Sequence, residues 1–156
     1  MARFTAAVTG SAALANGNAI ASVVPAAAAN FKITSVVLGF NNSGGAITDF
    51  DGTVGLNRAT ARGTQTATAT VNKADPNSGA SQITGVDGPT WSAQPTLAAT
   101  DGWTWPFNSR GGLALNFNEW DIISTVGTAN PLVFVQRSGA ALPASHSMTL
   151  TVGWFE

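Results

Sequence analysis

Apolar and polar residues alternate with a period of two along much of this 156-residue chain. Near the C-terminal end Met148, Leu150, Val152 and Trp154 fall on one side and Thr149, Thr151 and Gly153 on the other, the spacing of a half-buried strand. Thr64, Thr66, Thr68 and Thr70 alternate with Gln65, Ala67, Ala69 and Val71, and the β-branched ladder predicts a strand here despite the alanines. Between Phe31 and Phe40 both faces turn apolar, with Phe31, Ile33 and Val37 on one and Val36, Leu38 and Phe40 on the other. A central strand covered on both sides reads that way. Further strands are expected over 3–9, 19–24, 54–59, 102–107, 113–117, 120–124 and 132–137, each short and bounded by Gly, Asn, Asp or Pro. No stretch carries a convincing amphipathic helical pattern.

Eight to ten short strands separated by turn signals predict an all-β fold, an antiparallel, jelly-roll-like β-sandwich, because an isolated sheet would leave one apolar face in water. A barrel is the alternative. The length suits one domain with one core. Residues 1–30 are Ala-rich and are expected to be an N-terminal strand or arm that packs on the sandwich or on a neighbouring subunit, with 31–156 forming the sandwich domain. Thr5, Thr9, Asn16, Gly17 and Asn18 interrupt the apolar run that a signal peptide needs. Asp75 to Pro95, with Pro76, Gly79, Gly85, Gly88 and Pro89, reads as an irregular loop, long for a mere connection, and long loops often carry contacts. No internal repeat divides the chain.

Composition narrows the function classes. Charged residues make up 10% of the chain, against an average of about 25%, and the formal net charge is −1. Arg3, Lys32, Arg58, Arg62, Lys73, Arg110 and Arg137 are scattered. Phosphate binding needs clustered cations that displace counterions, so nucleic acid is not an expected partner. No apolar run reaches the roughly 18 residues of a spanning helix, so no membrane partner is expected. Cysteine is absent, which removes disulfides and thiolate metal sites.

Candidate chemistry is sparse. His146 is flanked by Ser145 and Ser147, but neighbours on a strand face opposite ways, so a local Ser–His pair cannot act together, and the imidazole reads as a surface or capping group. Asp49-Phe50-Asp51-Gly52 and Asp75-Pro76-Asn77-Ser78-Gly79 set oxygen ligands near a glycine without the bidentate carboxylate that closes a calcium loop. These segments, like Asp87-Gly88 and Asp101-Gly102, read first as turns. Glu119 and Asp121 flank Trp120 and would project from one strand face about 7 Å apart, an inverting-glycosidase spacing that two solvated carboxylates explain equally well. Gly44-Gly45, Gly111-Gly112 and Arg62-Gly63-Thr64 lack the Lys-Ser or Lys-Thr of a phosphate loop. The reading is of a protein that is not an enzyme, with no cofactor and no metal.

Five Trp in a chain without Tyr are the unusual feature. Trp103, Trp105 and Phe107 share one strand face, the pattern of a core or a subunit interface more than of a sugar platform. The candidate partner-binding residues are Arg3, Phe4, Trp91, Trp103, Trp105 and Trp120.

The stretch from Leu56 to Gln65, LNRATARGTQ, followed by Val71-Asn72-Lys73-Ala74-Asp75-Pro76 and Gly79-Ala80-Ser81, resembles small virion-associated proteins of tailed bacteriophages, the capsid decoration or cement proteins. A closing strand with an aromatic-acidic tail, Val152-Gly153-Trp154-Phe155-Glu156, extends the resemblance to about half the chain. The resemblance implies a jelly-roll or similar sandwich on the outer capsid surface, commonly a homotrimer, that ties neighbouring copies of the major capsid protein together without catalytic residues. Three other readings are carried beside it: a carbohydrate- or receptor-binding module of a phage tail or secreted protein; a shell-forming jelly-roll coat protein, against which the lack of a basic arm counts; and a small hydrolase that depends on His146.

Overall fold

The computed structural model describes residues 2–10, 15–26, 29–42, 49–118, 123–126, 130–137 and 146–156. They form an all-β, antiparallel fold, with no helix among the described residues. The strands are β1 (Arg3–Gly10), β2 (Ala19–Pro25), β3 (Ala29–Asn42), β4 (Asp51–Ala61), β5 (Thr64–Gln65), β6 (Thr68–Ala69), β7 (Asn72–Lys73), β8 (Ile83–Asp87), β9 (Trp91–Ala93), β10 (Thr96–Leu97), β11 (Trp103–Asn108), β12 (Leu113–Asn116), β13 (Ile123–Val126), β14 (Leu132–Gln136) and β15 (His146–Phe155).

Two sheets carry the fold. The front sheet runs β12-β3-β15-β1-β7, with β13 also on β3; the back sheet runs β10-β4-β14-β2-β8-β6, with β11 also on β4. Eight strands, β1, β2, β3, β4, β11, β12, β14 and β15, pair in a nested order. The first pairs with the last (β1 with β15), the second with the seventh (β2 with β14), the third with the sixth (β3 with β12) and the fourth with the fifth (β4 with β11). Successive members of this set alternate between the sheets, except that β4 and β11 share the back sheet.

The core lies between the sheets, where Phe4, Phe31, Ile33, Val36, Leu38, Leu150, Val152 and Trp154 of the front meet Ile20, Val23, Val54, Leu56, Val86, Leu132 and Phe134 of the back. Strand β15 has the expected alternation, with Met148, Leu150, Val152 and Trp154 all buried. The described N-terminal strands are built into the sheets: β1 is paired on both sides, by β15 and β7, and β2 lies between β14 and β8. Phe4, Ala6 and Val8 of β1 and Ile20, Ala21 and Val23 of β2 belong to the shared core.

Three expectations change for local physical reasons. The double apolar face of 31–40 is not two-sided cover but a bulge. Opposite β15 the register slips between Gly153 and Trp154, which face Ser35 and Ile33 and leave Thr34 extra. One added residue inverts the phase, so Phe31 and Ile33 point inward before it, Val36 and Leu38 after it, and Val37 is left outside at 48% exposure. The Thr64–Val71 ladder is not one strand: β5 pairs with β9 and β6 with β8, with a bend between. The supposed loop from 75 to 95 contains β8, whose Ile83 and Val86 enter the core. Of the strand expected over 120–124, residues 120–122 lie outside the described residues and β13 begins at Ile123.

Residues 62–102 form the excursion between β4 and β11. It crosses to the far edge of the sandwich, where β7 joins β1 in the front sheet and β6 and β8 join β2 in the back, and returns as β10 to β4. On its way it covers the outside of the back sheet: Trp91 and Leu97 pack on Ala19, Ala59, Val133 and Val135. At the opposite edge β11 turns into β12 through Gly112, whose φ of +66° favours glycine and whose added Cβ would collide with the Leu38 carbonyl oxygen.

Candidate interaction face

The two outer faces differ in chemistry. On the front sheet, residues directly opposite one another point to the same side, so the pairings define rows. One row is Ala7, Thr151, Val37 and Ala114; the next is Thr5, Gly153, Ser35 and Asn116; a third is Thr9, Thr149 and Gly39. Arg3, Thr5, Ala7 and Thr9 are exposed in turn along β1. Within these three rows every side chain is small or uncharged, and the Thr9 and Thr149 hydroxyls hydrogen-bond each other at 2.9 Å. The result is an exposed β surface of Thr, Ser, Ala, Gly, Asn and Val. At about 4.8 Å between strands and 3.3 Å per residue it extends over roughly 300 Å².

The back sheet's outer side is covered over its middle strands. Strands β2 and β14 are buried along their whole lengths, and polar ties hold the cover down. The Trp91 indole N–H donates to the Ala19 carbonyl at 3.0 Å, and the Ala19 N–H donates to Gln94 Oε1 at 2.9 Å. Asp87, fully buried, accepts from Arg62 Nε at 3.0 Å and from the Thr68 hydroxyl at 2.8 Å, and pairs with Arg62 Nη2 at 2.8 Å. Arg137 clamps Asp101 through Nε and Nη2, each at 2.8 Å, while Asn57 Nδ2 donates to the same carboxylate at 2.7 Å. The Arg137 hydrogen bonds hold the Asp101 carboxyl below its ordinary value against the opposing effect of burial, and Asp101 in turn raises the guanidinium.

The carboxylate of the aromatic-acidic tail belongs to the same fastening. Glu156 accepts the backbone N–H groups of Gln82 and Ile83 at 2.7 and 3.2 Å and the Trp154 indole N–H at 3.0 Å, which ties the end of β15 to the start of β8.

The six candidate partner-binding residues are dispersed. Arg3 is exposed on the front sheet with its guanidinium 4.7 Å from the centre of the Phe155 ring. Phe4 points the other way into the core, stacked on Trp154 at 6.1 Å, so it is packing and not a contact for a partner. Trp91 belongs to the back cover. Trp103, Trp105 and Phe107 do share a face of β11, but that face runs from open to closed: Trp103 is 43% exposed, Trp105 is half-buried against Phe117 at 5.5 Å, and Phe107 is core. Trp120 lies outside the described residues, as do Glu119, Asp121, Ser145 and Gly44-Gly45. The described Trp residues therefore make no single platform.

Other motifs resolve as structure. His146 is fully buried at the head of β15 opposite Asn42, not on the surface, because it falls in phase with the inward-facing Met148 and Leu150. Asp49 pairs with Arg110 at 2.9 Å, and Asp51 accepts from Asn108 at 2.8 Å. Asp75 accepts the Asn77 N–H at 2.9 Å in an Asx turn. Among the described residues no group of three or more His, Cys, Asp or Glu side chains could hold a metal ion.

Sequence reasoning missed the front-sheet face, since Thr, Ser and Ala carry no motif; its one signal was the run of uncharged alternate positions in β1 and β15. Comparison of the chain with protein-family models, curated proteins and solved structures finds no match.

Proposed function

We propose that this chain is a virion structural protein, a capsid decoration or cement protein that binds the outer capsid surface of a tailed bacteriophage through its front sheet and stabilises the shell across capsomer boundaries. The observation that carries the reading is the asymmetry of the sandwich: the outer side of one sheet is covered by Trp91 and Leu97 of its own chain, and the other presents three rows of uncharged side chains with Arg3 at one end. Such a face can be desolvated without stranding ions. The nested strand pairing supports a jelly-roll reading, the fold that the resemblance at 56–65, 71–76 and 79–81 implies.

The size of the face sets the mechanism. Roughly 300 Å² is less than half of the roughly 800 Å² each partner gives to a standard interface. One copy is held weakly by this face alone, and a homotrimer engaging several copies of the major capsid protein gains through effective concentration. The first test adds purified protein to shells that lack it and counts bound copies by cryo-electron microscopy. Wild type is expected to bind at saturable occupancy and Val37→Asp, placed in the centre of the face, to stay in solution. Full occupancy with Val37→Asp removes the front sheet from the reading. Deleting residues 1–30 is no test of attachment, because it removes β1 and β2.

One observation favours a second reading, a carbohydrate- or receptor-binding module. Trp103 forms the lip of a crevice of about 140 Å³ lined by Leu56, Leu132, Ala98 and Thr100. Sugar-dependent quenching of Trp fluorescence that is lost in Trp103→Ala would transfer the function to that crevice.

A further inference from the structure

Where the β3 bulge lies, the front face deepens into a groove of about 460 Å³. Its floor is the row Thr5, Gly153, Ser35 and Asn116, with Thr34 beside it, and its walls are Arg3 with Phe155 on one side and Phe117 on the other. The groove follows from the bulge. The extra residue Thr34 shifts the phase of β3, and Gly153 presents no side chain to the floor, where a Cβ would meet Ser35 Oγ at 2.5 Å.

Three features define what fits. The floor crosses four strands, about 14 Å at 4.8 Å per step, which an extended peptide of four or five residues spans at about 3.3 Å each. Hydroxyl and amide groups of Thr5, Ser35 and Asn116 can both donate and accept. Among the described residues lining the groove, Arg3 is the one ionisable side chain; of the carboxylates next to lining residues in sequence, Glu156 is held by Gln82, Ile83 and Trp154, and Asp75, beside Ala74, accepts the Asn77 N–H. A sugar ring fits less well, because the aromatic faces are engaged: Phe155 carries the Arg3 guanidinium and Phe117 packs on Trp105.

We infer that the groove is the docking site for an extended acidic protein segment, laid across the strands with a carboxylate on Arg3. The inference rests on the front sheet's being the attachment face, and names the partner chemistry of that face. A guanidinium already oriented by an aromatic ring is preorganised for a carboxylate, so part of the ordering cost is met before binding.

The test uses full-length protein and a fluorescein-labelled octapeptide that alternates Asp with Val, read by fluorescence anisotropy at low and physiological salt. The expected result is saturable binding, weakened about tenfold by Arg3→Ala or by Asn in place of every Asp in the peptide, weakened further by salt, and blocked by Asn116→Trp, which fills the groove from an exposed edge position. Unchanged melting temperatures show that both variants fold. Equal binding of the Asp and Asn peptides, indifference to Arg3→Ala, or preference for an acidic oligosaccharide such as polygalacturonate overturns the inference. Shell attachment is scored in parallel. If wild type attaches to shells but does not discriminate the peptides, the groove assignment falls and the attachment reading stands. If the peptide binds through Arg3 while Val37→Asp decorates shells fully, the groove stands and the attachment face falls.

Discussion

The front and back sheets are built from similar strands and share one core, yet their outer sides meet different surroundings. On the back sheet Val133, Val135, Ala19 and Ala59 lie under Trp91 and Leu97, and the cover is fastened by Arg62–Asp87 and Arg137–Asp101. On the front sheet the equivalent positions are Thr, Ser, Ala, Gly and a single Val. The chain places its few buried ions where its own segments must be held, and keeps ions off the three middle rows of the side it leaves open. In a protein with so little charge, that distribution separates the side held by the chain's own segments from the side it leaves exposed.

Matched substitutions on the two outer sides sharpen the contrast. Val133→Asp puts an unpaired carboxylate under the cover and is expected to cost more than about 4 kcal/mol, enough to unfold much of the population at neutral pH. Val37→Asp, the same change on the open side, should stay within about 0.5 kcal/mol in urea denaturation. Equal destabilisation by the two would mean that the front face is also covered.

The fastening comes next in size. Arg62→Ala leaves Asp87 buried without its cation and is expected to cost about 2–3 kcal/mol, discounted from the value for a fully buried pair because Arg62 is a third exposed. The double variant with Asp87→Asn should recover part of the loss, and a double-mutant cycle measures how much.

Acid loosens the second clamp by a smaller amount. The Asp101 carboxyl is lowered in the folded protein by Arg137, so its contribution is complete above the unfolded pKa near 3.9 and is lost as pH falls through the folded value. Wild type should exceed Asp101→Asn by about 1 kcal/mol at pH 6, with the difference declining from about pH 4 downward. A difference that grows on acidification would reverse the assignment. Hydrogen exchange of the Ala98 and Gly102 amides, which bond to Arg58 and Leu56, reports whether the cover lifts first.

Most of the main strands were legible because their inward positions are large and apolar at alternate sites: Met148 to Trp154 is the plainest case. Strand β8 was not, since Gly85, Asp87 and the flanking prolines carry turn chemistry, and only the closeness of Arg62 and Thr68 makes a buried Asp tolerable. Strand β3 was read with the wrong geometry because a bulge and a doubly covered strand leave the same apolar pattern; the partner register alone distinguishes them. Among the candidate partner-binding residues, Arg3 and its neighbour Phe4 are named together, although alternation on β1 sends the two to opposite faces.

The amino-acid sequence by itself determined an all-β chain with a core set by period-two alternation, since side-chain direction on a strand depends only on local backbone geometry. Tertiary structure decided which outer side is roofed, which is bare, and where the bulge opens a groove. Those outcomes depend on the path of residues 62–102 and on register between strands far apart in the chain, and long-range pairing is not written in any local pattern.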